Sequence, residues 1–383
     1  MSKNSIPKIR FNNFKAFWVE KKIADIVKIS AGGDVDKERL KQSGKYPVIA
    51  NALTNKGIVG FYDDYKVKAP AVTVTGRGDV GYAVARHENF TPVVRLLTLQ
   101  SDSIDMDYLE NQINSMKILN ESTGVPQLTA PQLGNYKVYR PEIDEQSAIG
   151  SLFRTLDDLL ASYKDNLTNY QSLKATMLSK MFPKAGQTIP EIRLDGFERK
   201  WEKKKLIDLV SPVSRKVKKP SDPYYRLSIR SHAKGTFKQF VDDPKKIAMD
   251  NLFEVKENDL VVNITFAWEH AIAVASKEDD GLLVSHRFPT FVIDKSDKNF
   301  INIYIKREEF RQKLDLLSPG GAGRNRVLNV KDFIKIQMIV PELEEQQAIG
   351  SCFSNLDNLI DSHQDKISQL ETLKKKLLQD MFI

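Results

Sequence analysis

Apolar residues recur on a heptad across residues 141–182 and again across 341–382. In the first stretch Ile149, Leu156, Tyr163, Tyr170 and Met177 share one seam position. Leu152, Leu159, Asn166 and Leu173 stand beside them, widened by Phe153, Leu160 and Leu167. In the second, Ile349, Leu356, His363, Leu370 and Leu377 fill the same slots, with Cys352, Leu359, Lys366 and Leu373 as companions. Five heptads of this kind predict a coiled coil. The two stretches align at an offset of 200 residues without a gap, and 19 of 42 positions are identical. Pro141 and Pro341 suit a first helical turn, the acids behind them suit the positive end of a helix dipole, and Pro183 stops the first copy. Each helix of about 40 residues would be roughly 60 Å long. The simplest partner for one copy is the other, antiparallel. Tyr163 and Asn166 would then meet His363 and Lys366, polar seam groups that cost stability and fix register. His363 reads as a polar spacer rather than a ligand.

A second repeat precedes each helix. Residues 7–27, PKIRFNNFKAFWVEKKIADIV, match 190–210, PEIRLDGFERKWEKKKLIDLV, at an offset of 183. The chain is therefore two half-units in cyclic order, each a start segment, a variable region and a helix, which implies a pseudo-twofold axis. The variable regions, about 28–140 and 211–340, differ. The first carries strand-like runs YPVIAN, GIVGFY, APAVTVT, GYAVA and TPVVRLLTL, a helix MDYLENQINSMKIL, and a strand NYKVYRP. The second carries YYRLSIR, NDLVVNITF, HAIAVAS, LLVSHRFPTFVID and FIKIQMIVP, with a helix NFINIYIKREEFRQKLDLL before a Gly-rich loop, SPGGAGRNRV. Alternation and β-branched content predict mixed domains with curled antiparallel sheets. The expected fold is α+β: two α/β domains, 1–140 and 183–340, separated by spacer helices 141–182 and 341–383.

Composition adds limits. A hydrophobic share of 41% and an aromatic share of 9% fit a folded protein. No apolar run is long enough for a membrane span, and MSKNSIPKIRF lacks the apolar core of a signal peptide, so a cytoplasmic location is expected. The one cysteine, Cys352, excludes a disulfide framework and a cysteine-based zinc site. A net charge of +8 makes an anionic polymer a reasonable partner.

Catalytic signatures are absent. Gly76-Arg77-Gly78-Asp79-Val80-Gly81 fits G-x-G-x-x-G, but a strand-like run follows it, so the dinucleotide reading gives way to a hairpin turn presenting Arg77. There is no P-loop. His87, His232, His270 and His286 have no metal-ligand spacing, and the Asn-Pro-Pro-aromatic tetrapeptide of amino-methyltransferases does not occur. Binding chemistry is present. Basic residues interleave with aromatics from Arg199 to Lys238, and phosphate contact with base-edge readout needs such a mixture. The candidate nucleic-acid contacts are Lys45, Asn51, Asn55, Arg77 and Arg86 in the first region. In the second they are Arg215, Lys216, Lys218, Tyr225, Arg226, Arg230, His232, Lys234, Arg287 and Arg324. Asn can read adenine and Arg guanine in the major groove.

The architecture resembles the specificity subunit of type I restriction-modification enzymes. The likeness covers the whole chain. It rests on two unlike regions alternating with two like helices, and on PEIDEQSAIGSLFRTLDDLL and PELEEQQAIGSCFSNLDNLI, whose P-x-x-x-E-Q-x-A-I-G start resembles the family's helix entry. KYPVIANALTNKGIVGFY and PAVTVTGRGDVGY are similar to one recognition-domain type, NITFAWEHAIAVASKEDDGLLVSHRFPTF to another. The resemblance implies two target-recognition domains, each reading one half of a bipartite, gapped, asymmetric site in double-stranded DNA. It implies helices that hold the half-sites apart and dock two modification subunits. The chain itself would be non-catalytic and carry no cofactor. S-adenosylmethionine, ATP and Mg would sit on the modification and restriction subunits, which methylate adenine and cleave. The rival from another class is a coiled-coil scaffold with two protein- or glycan-binding domains; a nucleotide-dependent oxidoreductase ranks third.

Overall fold

A computed structural model describes residues 6–116, 118, 126–184, 186–318 and 326–383. Contacts divide the chain into two units, Met1–Leu167 with Ser362–Ile383, and Thr168–Asp361. Each unit thus holds one variable region, the start of that region's own long helix, and the end of the other long helix.

In the first unit Val19–Lys22 pairs antiparallel with Lys137–Arg140 and closes the variable region at its base. Above it lies a four-stranded antiparallel sheet in the order Lys28–Ala31, Leu96–Gln100, Ala71–Thr75, Ala83–Arg86. A three-stranded sheet, Ile58–Tyr62, Tyr46–Ile49 and Thr91–Pro92, adjoins it. The helix Met106–Ser115 starts where the Asp105 carboxylate accepts the Tyr108 N–H at 2.9 Å. It buries Leu109 and Ile113 in one core with Val72, Val74 and Leu99.

The second unit repeats the closure with Glu202–Lys205 against Gln337–Val340. Its sheets differ. One has four strands, in the order Ser211–Val213, Thr290–Val292, Asp259–Val262, Ile272–Val274. The other has five and carries the hairpin Tyr224–Ile229 and Thr236–Val241. The helix expected over 299–317 is two, Lys298–Ile305 and Glu308–Leu316. The break falls at Arg307, whose backbone is extended and whose guanidinium stacks over Phe182 at 4.5 Å and Tyr304 at 5.4 Å.

The long helices run Ile143–Lys180 and Leu343–Asp380. In the first unit an ion pair joins Asp157 to Lys374, and Lys164 meets Glu371 at 2.7 Å. The Tyr163 and His363 rings lie 5.2 Å apart. In the second unit Lys174 pairs with Asp357, the same bridge 200 residues displaced. Residue numbers rise on one helix as they fall on the other, so the pairing is antiparallel.

One row of the expected seam is corrected. Ile149, Phe153, Leu156 and Leu160 are buried, as are Ile349, Phe353, Leu356 and Leu370. Leu159, Leu173, Leu359 and Leu373 are 43%, 47%, 41% and 45% exposed. A step of one residue turns a helix by about 100°, so the inward row is the one holding Phe153 and Leu160. The leucine row beside it faces outward.

The helix entry carries a joint, built twice. Glu145 is buried and takes two hydrogen bonds from Arg10, at 2.6 and 2.7 Å, and one from the Trp18 indole at 3.2 Å. Arg10 also donates to the Ala16 carbonyl at 2.6 Å, and its tie to Glu145 holds its proton more firmly than usual. Gln146 accepts from the Asp105 N–H at 3.0 Å and donates to the Pro141 carbonyl at 2.8 Å. In the second unit Arg193 and Trp201 hold Glu345, and Gln346 joins the Asp297 N–H to the Pro341 carbonyl. The acids behind each proline therefore do more than suit a helix dipole: one of them is the buried socket for the arginine of the start segment.

Candidate nucleic-acid interface

In the first unit the G-x-G-x-x-G segment is the turn of an antiparallel hairpin between Ala71–Thr75 and Ala83–Arg86, with Gly78 and Gly81 at φ of 75° and 85°. Asn51 sets this turn. Its side-chain oxygen accepts from the Gly76 and Arg77 N–H groups at 2.6 and 3.2 Å, and its amide donates to the Arg77 carbonyl at 2.6 Å. Asn51 is thus committed internally and presents Arg77 rather than reading a base itself. Arg77 is exposed. Lys45 is exposed and lies 5.1 Å from the Tyr46 ring. Asn55 and Lys56 occupy the left-handed region at φ 48° in an exposed turn.

Arg86 is corrected outright. It is 9% exposed, donates to the Thr73 hydroxyl at 3.0 Å and the Lys56 carbonyl at 2.7 Å, and burial pushes its pKa down to about 10. It braces the sheet against the Lys56 turn.

In the second unit Arg215 is corrected in the same sense: it pairs with the buried carboxylate of Asp259. Lys216 and Lys218 stand exposed on a short strand, Lys216–Lys218. The hairpin from Tyr224 to Val241 gathers most other candidates. Tyr225 and Phe240 form an exposed cross-strand ring pair, centroids 5.0 Å apart. Arg226 donates twice to the Gln239 side chain, at 3.0 and 2.8 Å, and Arg230 lies 5.0 Å over Phe237. At the hairpin tip His232 takes φ 60°, its N–H is held by the Glu269 carbonyl at 2.7 Å, and His232 and Lys234 are exposed. Arg287 is exposed on the segment between Leu283–Val284 and Thr290–Val292. Arg324 lies outside the described residues.

Sequence reading missed Gln239 and Phe237, which hold the two hairpin arginines. Their signal is the strand register, which pairs Arg226 with Gln239. It also missed Asn263, Thr265 and Phe266, which stand with Arg226 and Arg287 around one cavity. No group of three or more His, Cys, Asp or Glu able to hold a metal occurs among the described residues. No helix there is long and apolar enough to cross a membrane.

Two unlike domains, each with exposed basic residues on a hairpin, are joined in the same way to the repeated helices. The chain belongs to the type I restriction-modification DNA specificity domain family, whose model matches residues 16–170 and 198–372. It is 23% identical over 278 residues to a type I restriction enzyme specificity subunit of Methanocaldococcus jannaschii, a match covering 69% of this chain and 65% of that one. Its fold is similar to the crystal structure of a type I restriction-modification S subunit from M. genitalium, with a TM-score of 0.64 at 15% identity, covering 99% of both chains.

Proposed function

We propose that this chain is the DNA-reading subunit of a type I restriction-modification complex. Each variable domain reads one half of a bipartite, gapped and asymmetric duplex site. The observation that carries this is the pairing of sameness and difference: like joints at Glu145 and Glu345 hold two domains whose exposed cations sit on different hairpins, Arg77 on one and Lys234 on the other. Like joints imply like attachment, and unlike surfaces imply unlike sequences read. Methylation and cleavage then belong to partner subunits that carry S-adenosylmethionine, ATP and Mg.

Two modification subunits are the expected partners of the outward leucines. Leu159 and Leu373 lie two and one positions from the Asp157–Lys374 pair, and Leu359 and Leu173 lie the same distances from Asp357–Lys174. Each unit therefore offers one copy of the same apolar surface, which suits two copies of one partner. Restriction subunits complete the complex.

The test is the methylome of a host with and without the gene. Loss of one gapped adenine-methylation motif is the expected result. An unchanged methylome, together with duplex binding that does not weaken as salt rises, would favour a protein- or glycan-binding scaffold instead.

A further inference from the structure

The second variable domain contains a cavity of about 300 Å³ that its surface cations do not account for. The strand register places buried Leu252 and half-buried Leu283 on the sheet face that lines it. Arg226 and Ser228 enter from one face of the strand Tyr224–Ile229, since alternate residues of a strand share a face. Asn263, Thr265 and Phe266 enter from the turn after Asp259–Val262, and Arg287 from across the mouth.

Asn263 is the informative residue. It is 7% exposed. Its side-chain oxygen accepts from the Thr265 N–H at 3.1 Å and the Thr265 hydroxyl at 2.7 Å. A backbone N–H can only donate, so the oxygen is fixed on that side and the amide NH2 faces away from Thr265. That NH2 makes no hydrogen bond among the described residues and is not one of their buried unpartnered atoms, so it is open to a ligand entering the cavity. A ligand with an acceptor edge would satisfy it. Phe266 is 47% exposed, a large ring at the rim of a polar cavity. Arg226 is held by Gln239, and the Arg287 side chain has no ion pair among the described residues. No acidic residue lines the cavity. A flat ring with a polar edge and an adjacent anion fits these walls, and a cation does not. The volume lies at the small end of ligand pockets, which suits one base rather than two.

We propose that this cavity receives a single nucleobase extruded from the duplex, with Phe266 stacking on it, Asn263 reading its edge, and Arg226 and Arg287 holding the flanking phosphate. A stacked base cannot reach a concave site, so reading here requires extrusion. The NH2 donor needs an acceptor on the base, a carbonyl oxygen or a ring nitrogen, while the two Thr265 contacts occupy the Asn263 oxygen and leave it no second bond to a base. This inference rests on the DNA reading above.

The experiment uses the full chain and a duplex carrying the motif defined by the methylome. Each base pair of the half-site assigned to residues 211–340 is replaced in turn by a mismatch. Extrusion is easier from a mismatch, so at the captured position, with the native base retained on its strand, binding should tighten about tenfold. At directly read positions it should weaken. Asn263→Asp keeps both Thr265 contacts but turns the donor edge into a repelling acceptor, and it should abolish the tightening. Fluorescence of 2-aminopurine placed beside the same position should rise on binding, which provides a readout on the unaltered chain. Uniform weakening by every mismatch, with no fluorescence rise, would overturn the proposal while leaving the DNA reading intact. So would tight binding of a free nucleoside monophosphate that matches the duplex in affinity. Failure to bind the motif duplex at all would overturn the DNA reading, and this proposal with it.

Discussion

Arg193 grips Glu345 through two hydrogen bonds of 2.7 and 2.6 Å, across 152 residues of sequence, and Arg10 grips Glu145 in the same way. Both glutamates are buried, and both arginines are mostly so. Removing one partner leaves an uncompensated buried charge, which typically costs about 3–5 kcal/mol. Arg193→Ala should lower stability by that order in denaturant unfolding. A loss below about 1 kcal/mol would show that the pair is solvated in solution.

Gly150 sits where the long helix crosses the start of the Met106–Ser115 helix. A Cβ there would lie 2.6 Å from the Asp105 carboxylate and 3.0 Å from the Tyr108 nitrogen. Gly150→Ala should destabilise by about 1–3 kcal/mol through overpacking, although alanine is the better helix former. A stabilised variant would mean that the helix can move away freely.

Arg77 and Arg86 should separate cleanly. Arg77→Ala should weaken binding to the target duplex by about 1–3 kcal/mol if it reads a base, with stability unchanged. Arg86→Ala should do the reverse, lowering stability by about 1–3 kcal/mol because it removes a partner of Thr73 and of the Lys56 carbonyl. Titration of both variants with labelled duplex, beside their melting curves, checks the split.

Glu110 titrates unusually. Burial raises its pKa from 4.5 to about 7; Asp157 and Asp107 push the same way, while the Ala85 backbone and Lys374 oppose. The folded chain therefore binds this proton more tightly than the unfolded chain. The contribution to stability is greatest below pH 4.5, falls as pH rises to about 7, and is flat beyond. The slope in that window is at most about 1.4 kcal/mol per pH unit. Glu110→Gln should remove the slope, seen as the difference between the two unfolding curves from pH 5 to 8.

The outward leucines give a docking test. Leu159→Glu with Leu373→Glu should change stability by only about 0.5 kcal/mol, as surface changes do, yet halve the number of modification subunits captured. Leu160→Glu, on the buried side, should destabilise strongly. Full capture by the double variant would place the docking surface elsewhere.

The heptad and both repeats were legible because periodicity needs no long-range information. The inward row was misplaced by one residue because leucine occupies both candidate rows, Leu159 beside Leu160, and hydrophobicity alone does not say which faces in. The nucleic-acid candidates fared differently for another reason. Arg86, Arg215 and Asn51 look from composition like Arg77 or Lys234. What distinguishes them is a partner distant in sequence: Thr73, Asp259 and Gly76. Asn263 carried no signal at all, since its meaning lies in two hydrogen bonds to Thr265 and a vacant donor edge. The joint was visible as recurring Arg, Trp and Glu, but only folding shows that these close on one another.

What each joint asks of the region above it is small: a helix opened by an aspartate, Asp105 or Asp297, and a returning strand. Everything else in the joint belongs to the repeat. A segment exchanged at these repeats would meet the same fitting at either address. Unequal exchange between the copies would yield a chain with one domain type twice, and on the proposed reading its two half-sites would be alike. New specificities can thus arise by transposition of whole segments, with no point change in any reading surface.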